Sequence, residues 1–168
     1  MLIREANSKD VENIARLYIT NWKMTYRGLL PDEYLNHLDI PCAAEKWSSF
    51  LKKPDHHIFV ACEDSLFCGF GACSPDPDIE NCIYLDSLHI SKDMQGNGLG
   101  TRLIQAIGKY AAGRGYRKMS VCIVRGNERA RGLYTKLGAV HGLYFVDDFG
   151  EVQSQSEKLI WESLRFFQ

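Results

Sequence analysis

The sequence predicts one mixed α/β domain built around a largely antiparallel sheet. The chain has 168 residues, a common domain size, and can bury roughly 70% of its unfolded surface without disulfides or metals. Hydrophobic residues make up 45% and charged residues 24%, as in an ordinary globular protein. Strand-like and helical patterns follow in the order β-ααα-βββ-α-β-α-ββ, with no repeat or linker, so the domain is expected to span residues 1–168.

The first third of the chain is predicted to hold one strand and three helices. Residues 2–5 look like a short strand. Ser8 is a candidate cap for an amphipathic helix, because acidic residues follow in its first turn and apolar side chains recur at helical spacing. These side chains are Val11, Ile14, Ala15, Tyr18 and Trp22. Two further helical stretches cover residues 34–38 and 41–54.

The rest of the chain alternates between strand-like and helical patterns. Residues 57–62 and 66–73 are apolar runs joined by a Glu-Asp-Ser turn, which predicts a hairpin, and a third apolar run covers 82–90. From Gly98 the apolar period changes to 3.6, which predicts a helix that ends at 113–115. The remaining predicted elements are a strand at 118–124, a helix at 127–137 and extended stretches at 139–147 and 154–162.

The charge balance and the N-terminus limit the partners that we expect. Lys and Arg total 20 and Asp and Glu total 21, so the basic excess typical of nucleic-acid-binding proteins is missing. The first residues lack the apolar core of a signal peptide and no stretch approaches 18 apolar residues, which predicts no membrane association and a cytoplasmic location. The six cysteines form no CxxC pair, so we expect free thiols and no metal.

Gly96, Gly98 and Gly100 form a cluster between a predicted strand and a predicted helix. Glycines there let the backbone approach a ligand, and the helix N-terminus offers free N–H groups that suit a phosphate. A tight turn without a ligand is the alternative. A P-loop needs Lys-Ser/Thr where this chain has Thr101-Arg102, and a dinucleotide fingerprint needs G-x-G-x-x-G and an acid about 20 residues on. Both of these phosphate loops are therefore excluded.

Two segments resemble the cofactor elements of the GNAT superfamily of N-acetyltransferases. Residues 95–101 are similar to its pyrophosphate loop, Arg/Gln-x-x-Gly-x-Gly/Ala, with Gln95, Gly98 and Gly100 at the fixed positions. Residues 127–139 are similar to its second element, Asn-x-x-Ala-x-x-Leu/Phe-Tyr-x-x-x-Gly-Phe/Ala. The resemblance, to small bacterial-type members, implies six or seven mostly antiparallel strands flanked by helices on both faces. It also implies acetyl-CoA as the cosubstrate and no metal.

The resemblance implies a role for each matching residue. Main-chain groups of residues 88–90 are expected to pair with the pantetheine amides, next to a strand bulge that frees an N–H for the acetyl carbonyl. The His89 ring is expected to be solvated or to lie over the cofactor. Asn127 either hydrogen-bonds the pantetheine arm, caps its helix, or does both. The residues assigned to the cofactor are Leu88, His89, Ile90, Gln95, Gly96, Asn97, Gly98, Leu99, Gly100, Thr101, Asn127, Ala130 and Tyr134.

The chemistry implied by the resemblance is direct attack of an amine on the thioester. Tyr134 is implied as the acid that protonates the leaving thiolate, with a core tyrosine as the alternative. Many GNATs carry a glutamate four residues before the position of Leu88, where this chain has Tyr84. Asp86 is the nearest acid on that strand, and the two-residue period predicts that it shares a face with Tyr84 and Leu88. We therefore expect Asp86 to be a water-mediated base, or else only a substrate contact or an acid exposed at the edge.

The acceptor site is expected near the first helices and the last strands. Trp22 and Tyr26 lie one helical turn apart and are predicted to wall it together with Tyr84 and Asp86, unless they are ordinary core aromatics. Four acids near the C-terminus either attract a cationic amine or belong to a solvated loop. These acids are Asp147, Asp148, Glu151 and Glu157.

The predicted function is transfer of the acetyl group of acetyl-CoA to a primary amine of a small molecule or a peptide. The absence of a glutamate at position 84 motivates an alternative, a non-catalytic acyl-CoA-binding or regulatory module of the same fold, which the presence of Tyr134 argues against. Acetyl-CoA and an amine acceptor are thus the expected partners. The sequence is compatible with either a monomer or a homodimer.

Overall fold

A seven-stranded sheet with the order β1-β2-β3-β4-β5-β7-β6 lies at the centre of the computed structural model, which describes residues 1–149 and 152–167. The strands are β1 (Leu2–Glu5), β2 (His57–Glu63), β3 (Leu66–Pro75), β4 (Cys82–Ile90), β5 (Lys118–Val124), β6 (Val140–Phe149) and β7 (Val152–Trp161). Neighbouring strands are antiparallel except for β4 and β5, which are parallel. The predicted, mostly antiparallel sheet is thus confirmed.

Helices cover both faces of the sheet, as predicted. They are α1 (Val11–Thr25), α2 (Asp32–Asn36), α3 (Ile40–Lys52), α4 (Leu99–Gly113) and α5 (Glu128–Lys136). α1 and α3 pack on one face around Ile14, Trp47 and Phe70. α4 and α5 pack on the other face, where Ile107 and Tyr134 lie in the core. In the part of the chain that the structure describes, no helix is long and apolar enough to cross a membrane.

The start of α1 differs from the prediction that Ser8 caps it. Asp10 is the N-cap residue of α1 and makes no side-chain cap bond, whereas Asn7 caps the 3-10 turn before the helix. Asn7 Oδ1 accepts a hydrogen bond from the Lys9 amide at 3.0 Å, and the Asp10 carboxylate accepts one from the Asn7 amide at 2.9 Å. Ser8 opens a single 3-10 turn that leads into α1. The cap lies one residue earlier because Asn7 and Asp10 form a reciprocal capping box around this turn.

The parallel strands β4 and β5 separate midway along their length. They pair only where residues 82–85 face residues 118–121. Beyond this point residues 86–90 and 122–124 border an open cleft. The separation leaves main-chain groups at the centre of the sheet accessible to a ligand.

A β-bulge in β4 lies just before residues 88–90. Successive residues on β3 pair with Ser87 and Leu85, so Asp86 is an extra residue. The extra residue shifts the two-residue alternation, and Leu88 packs against the same core as Leu85, on the α4 face. Tyr84, next to Leu85, lies on the opposite face, so the prediction that Asp86 shares one face with both Tyr84 and Leu88 is wrong.

Candidate active site

A cavity of about 500 Å³ occupies the cleft between β4 and β5. Its lining brings together most of the residues assigned to the cofactor and the acceptor from the sequence. They are Leu88, His89, Ile90, Gln95, Gly96, Gly98, Leu99, Gly100, Thr101, Asn127, Ala130 and Tyr134 for the cofactor, and Trp22, Tyr26, Tyr84 and Asp86 for the acceptor. Asn97 is exposed and is absent from this lining.

The glycine cluster forms the N-terminus of α4 at the edge of the cavity. Gly96 (φ 84°) and Gly98 (φ 76°) adopt left-handed backbone conformations that other residues rarely take. Gly98 is the N-cap residue and no side chain caps the helix. Residues 99–101 line the cavity, and their amides have no acceptor within the helix. This end of the cavity therefore suits a phosphate group.

Gln95 connects β4 to α5 beside the glycine cluster. Its Nε2 donates to the Ile90 carbonyl at 3.0 Å, and its Oε1 accepts from the Arg129 guanidinium at 2.6 Å. Arg129 is exposed and lines the cavity. Sequence reasoning missed Arg129, although its place two residues after Asn127 puts it in the first turn of α5.

Asn21 on α1 is a second lining residue that sequence reasoning missed. Its Nδ2 donates to the Ile90 carbonyl at 3.0 Å, so that Gln95 and Asn21 together occupy both lone pairs of this oxygen. The Ile90 carbonyl therefore already accepts two hydrogen bonds, and a ligand would have to pair with other main-chain groups of β4. Asn21 Oδ1 is buried and has no hydrogen-bond partner among the described residues. A polar residue on the apolar stripe of α1 is the signal that could have found it.

The His89 ring lies on the α1 face. It packs edge-on to Tyr18 at 5.3 Å and tilted against Phe70 at 5.2 Å, which differs from the expected solvated or cofactor-facing position. The bulge explains this, because it sends residues 88 and 90 to the α4 face. Burial, with a contribution from the charge of Lys46, lowers the pKa of His89 to about 3, so the ring is neutral at pH 7.

Tyr134 projects from α5 into the site and is buried. Its ring packs edge-on to Trp161 at 5.7 Å. Burial, with a contribution from Tyr26, raises the pKa of Tyr134 above its usual value, so the phenol keeps its proton at pH 7. Within the described residues its hydroxyl makes no hydrogen bond, which leaves the proton available to a ligand.

Tyr84 and Asp86 lie on the wall formed by β4. Burial raises the pKa of Tyr84, and Cys122, Asp86 and Asp147 add to this effect. Tyr84 is therefore a neutral phenol at pH 7 and has no basic oxygen to accept a proton. The Asp86 carboxylate accepts a hydrogen bond from Ser87 Oγ at 3.0 Å. Of these two residues, only Asp86 can act as a base.

Asn127 is the N-cap residue of α5. Its Oδ1 accepts a hydrogen bond from the Ala130 amide at 3.3 Å. Burial raises the pKa of Tyr26, and a hydrogen bond from the Asn127 side chain partly offsets this effect. Asn127 therefore fulfils the capping alternative.

The late acids separate into different environments. Asp147 lines the cavity, whereas Asp148 is exposed. Glu157 is buried and pairs with Arg131 at 3.0 Å and His141 at 2.9 Å. Glu151 lies outside the described residues. Over residues 1–149 and 152–167, no group of three or more His, Cys, Asp or Glu side chains is arranged to hold a metal ion.

The fold and the cleft are those of an acyltransferase. The profile of the Acetyltransferase (GNAT) family matches residues 16–139, and the chain belongs to this family. The resemblance seen in the glycine cluster and in residues 127–139 is thereby confirmed.

Named relatives and solved structures agree with this assignment. An uncharacterized N-acetyltransferase of Bacillus subtilis, YuaI, is 27% identical, over 74% of this chain and 72% of the relative. The thialysine N-epsilon-acetyltransferase of Mus musculus is 26% identical, over 98% of this chain and 91% of the relative. The crystal structure of the PaiA N-acetyltransferase of Thermoplasma acidophilum in complex with coenzyme A superposes with a TM-score of 0.70 at 20% identity, covering 93% of this chain and 96% of that one.

Proposed function

We propose that this protein transfers the acetyl group of acetyl-CoA to a primary amine by direct attack in a ternary complex. The observation that carries the proposal is one continuous cavity with a helix N-terminus suited to phosphate, a neutral buried phenol at Tyr134 and a carboxylate at Asp86. The coenzyme A bound to the Thermoplasma relative supports the choice of cosubstrate.

The acceptor amine must lose a proton before it can attack. An alkyl amine has a pKa of about 10.4, so holding it neutral at pH 7 costs roughly 4–5 kcal/mol. Asp86 accepts this proton through a water molecule, since Tyr84 beside it stays neutral. The bulge places Asp86 outside the regular pairing with β3, on the wall of the cavity.

The leaving sulfur must gain a proton. As the amine nitrogen bonds to the acetyl carbon, the carbon–sulfur bond breaks and the electron pair stays on sulfur. The nitrogen, which still carries two hydrogens, loses one of them to solvent as the amide forms. Tyr134 donates its phenolic proton to the thiolate and regains one from solvent. Free N–H groups of β4 beside the bulge stabilise the negative charge that develops on the acetyl oxygen.

The direct test is acetyl-CoA turnover against pooled amines, with thiol release and mass detection of the product. We expect CoA release that depends on an amine, and a product heavier by one acetyl group. Tight acetyl-CoA binding without amine-dependent release would contradict the proposal and favour a binding or regulatory module.

Asp86→Asn is expected to lower kcat/KM by roughly 10²-fold and to remove the acidic limb of its pH profile. The reason is that the wild-type rate falls at low pH as the base becomes protonated, whereas asparagine has no such titration. Asp86→Glu is the rescue variant and is expected to restore the limb. An unaltered acidic limb in Asp86→Asn would remove this residue from the role of base.

Arg129→Gln is expected to weaken CoA binding by about 5- to 10-fold, since an exposed cation near a phosphate contributes on the order of 1 kcal/mol. Calorimetry with CoA and with acetyl-pantetheine, which lacks the phosphates, separates this effect from misfolding. Only the CoA affinity should fall. Arg16→Gln, which removes an exposed cation on α1 paired with Glu12, is the control. Equal losses for both ligands would refute a phosphate contact.

A further inference from the structure

Four charged side chains line the cavity, two of each sign. The charged residues in the lining are Arg129 and Lys136 on α5, and Asp86 on β4 with Asp147 on β6. Arg129 lies beside the glycine cluster through its bond to Gln95. Among the described residues, neither lining carboxylate has a Lys, Arg or His nitrogen within ion-pair distance.

Tyr84 lines the cavity together with the two carboxylates. Burial raises the pKa of Tyr84, and the charges of Asp86 and Asp147 add to this effect. Lys46 of α3 is not part of the lining, and its ammonium lies over the Tyr18 ring at 4.7 Å.

An aromatic wall lies next to Asp147, because Phe149 is two residues further along β6 and so projects from the same face of the strand. Trp22 packs against Tyr26 at 4.5 Å and against Phe149 at 5.8 Å, and Phe149 continues to Tyr34 at 6.0 Å. Three of these rings line the cavity: Trp22, Tyr26 and Phe149. Aromatic faces attract ammonium groups, most strongly where water is displaced.

A carboxylate accepts hydrogen bonds, whereas an ammonium has three N–H donors and no acceptor. An ammonium therefore matches the two carboxylates of the lining, Asp86 and Asp147.

We propose that the acceptor is a short linear diamine without a carboxylate. This inference rests on the proposed acetyl transfer. One amine is presented to Asp86 and is acetylated. The second amine remains an ammonium and binds between Asp147 and the ring faces of Trp22 and Phe149. A carboxylate on the acceptor is disfavoured because it would meet Asp86 and Asp147.

The test uses three acceptors that share a five-carbon chain: 1,5-diaminopentane, pentylamine and lysine. Pentylamine lacks the second charge, and lysine adds a carboxylate. We expect kcat/KM for diaminopentane to exceed both others by about 10-fold or more, mainly through KM. Asp147→Asn should lower the ratio of diaminopentane to pentylamine by about 10-fold, and Asp147→Glu should restore it.

Asp148→Asn is the matched control, because Asp148 is exposed on the same strand and is absent from the lining. Calorimetry of diaminopentane binding to the CoA-bound protein gives a readout without turnover, and should show weaker binding only for Asp147→Asn. Equal kcat/KM for pentylamine and diaminopentane, or a preference for lysine, would overturn the inference and leave acetyl transfer intact. CoA release at the same rate with and without an amine would instead refute the proposed function.

Discussion

Tyr134→Phe is expected to lower kcat by about 10²- to 10⁴-fold while the affinity for acetyl-CoA stays nearly unchanged. The substitution removes one oxygen and its proton but keeps the ring that packs against Trp161. Since the hydroxyl has no partner among the described residues, its loss leaves no protein group unpaired. The free energy of unfolding should therefore change little, and the loss should appear in the chemical step.

The pH profile gives a second readout for Tyr134. Burial raises the pKa of this phenol, so the acid stays protonated through the neutral and mildly alkaline range. We expect no loss of wild-type activity below about pH 10 that arises from Tyr134 ionisation. Tyr144→Phe, which alters an exposed tyrosine on β6, is the matched control. An unchanged kcat in Tyr134→Phe would mean that water protonates the thiolate.

Most of the fold could be predicted because local signals mark its elements. Turn residues and changes in the spacing of apolar residues mark where strands and helices begin and end. At Gly98, for example, the spacing changes to the helical one, and α4 begins at the next residue, Leu99. At the end of the sheet the bounds differ from the prediction, since β6 runs to Phe149 rather than ending at 147. The glycine-rich end of the site was predictable for the same reason, since its residues are contiguous in sequence.

The parts that could not be predicted depend on tertiary contacts. The bulge at Asp86 leaves no mark in an alternating strand pattern, yet it decides which face Leu88 and His89 occupy. Asn21 reaches the Ile90 carbonyl from 69 positions away. Asp147 and Asp148 are adjacent residues of the same type, so the sequence does not show which of them lines the cavity. The pairing of β6 with β7 sets which side chain faces the cavity.

A buried ion pair is the clearest case of a contact that sequence alone conceals. Asp76, in the loop after β3, pairs with Lys158 of β7 at 2.8 Å, and both side chains are almost fully buried. Burial alone would raise the pKa of Asp76, but hydrogen bonds from Lys158 and Ser120 outweigh it and lower the pKa. The pair joins the loop before β4 to β7, which lies two strands further along the sheet.

Lys158→Met is expected to lower the free energy of unfolding at pH 7 by about 3–5 kcal/mol, because it leaves a buried carboxylate without its cation. Chemical denaturation measures the change. Lys118→Met is the matched control, since it removes a lysine from a partly exposed pair with Glu162 and should cost about 0–1 kcal/mol. A loss no larger than that of the control would show that water compensates the charge of Asp76.

The pH dependence of this loss has a defined sign. In the wild type the pKa of Asp76 is lower when folded than when unfolded, so its contribution is present above its unfolded pKa and is lost as pH falls through the folded value. In Lys158→Met a protonated Asp76 needs no cation, so the gap between the two proteins should narrow towards pH 4. The double variant Asp76→Asn with Lys158→Met should recover most of the loss at pH 7. Two results would contradict this explanation: a constant difference in free energy of unfolding from pH 7 to 4, or a double variant as unstable as Lys158→Met. Either result would mean that the loss comes from packing around the lysine stem and not from the unpaired charge.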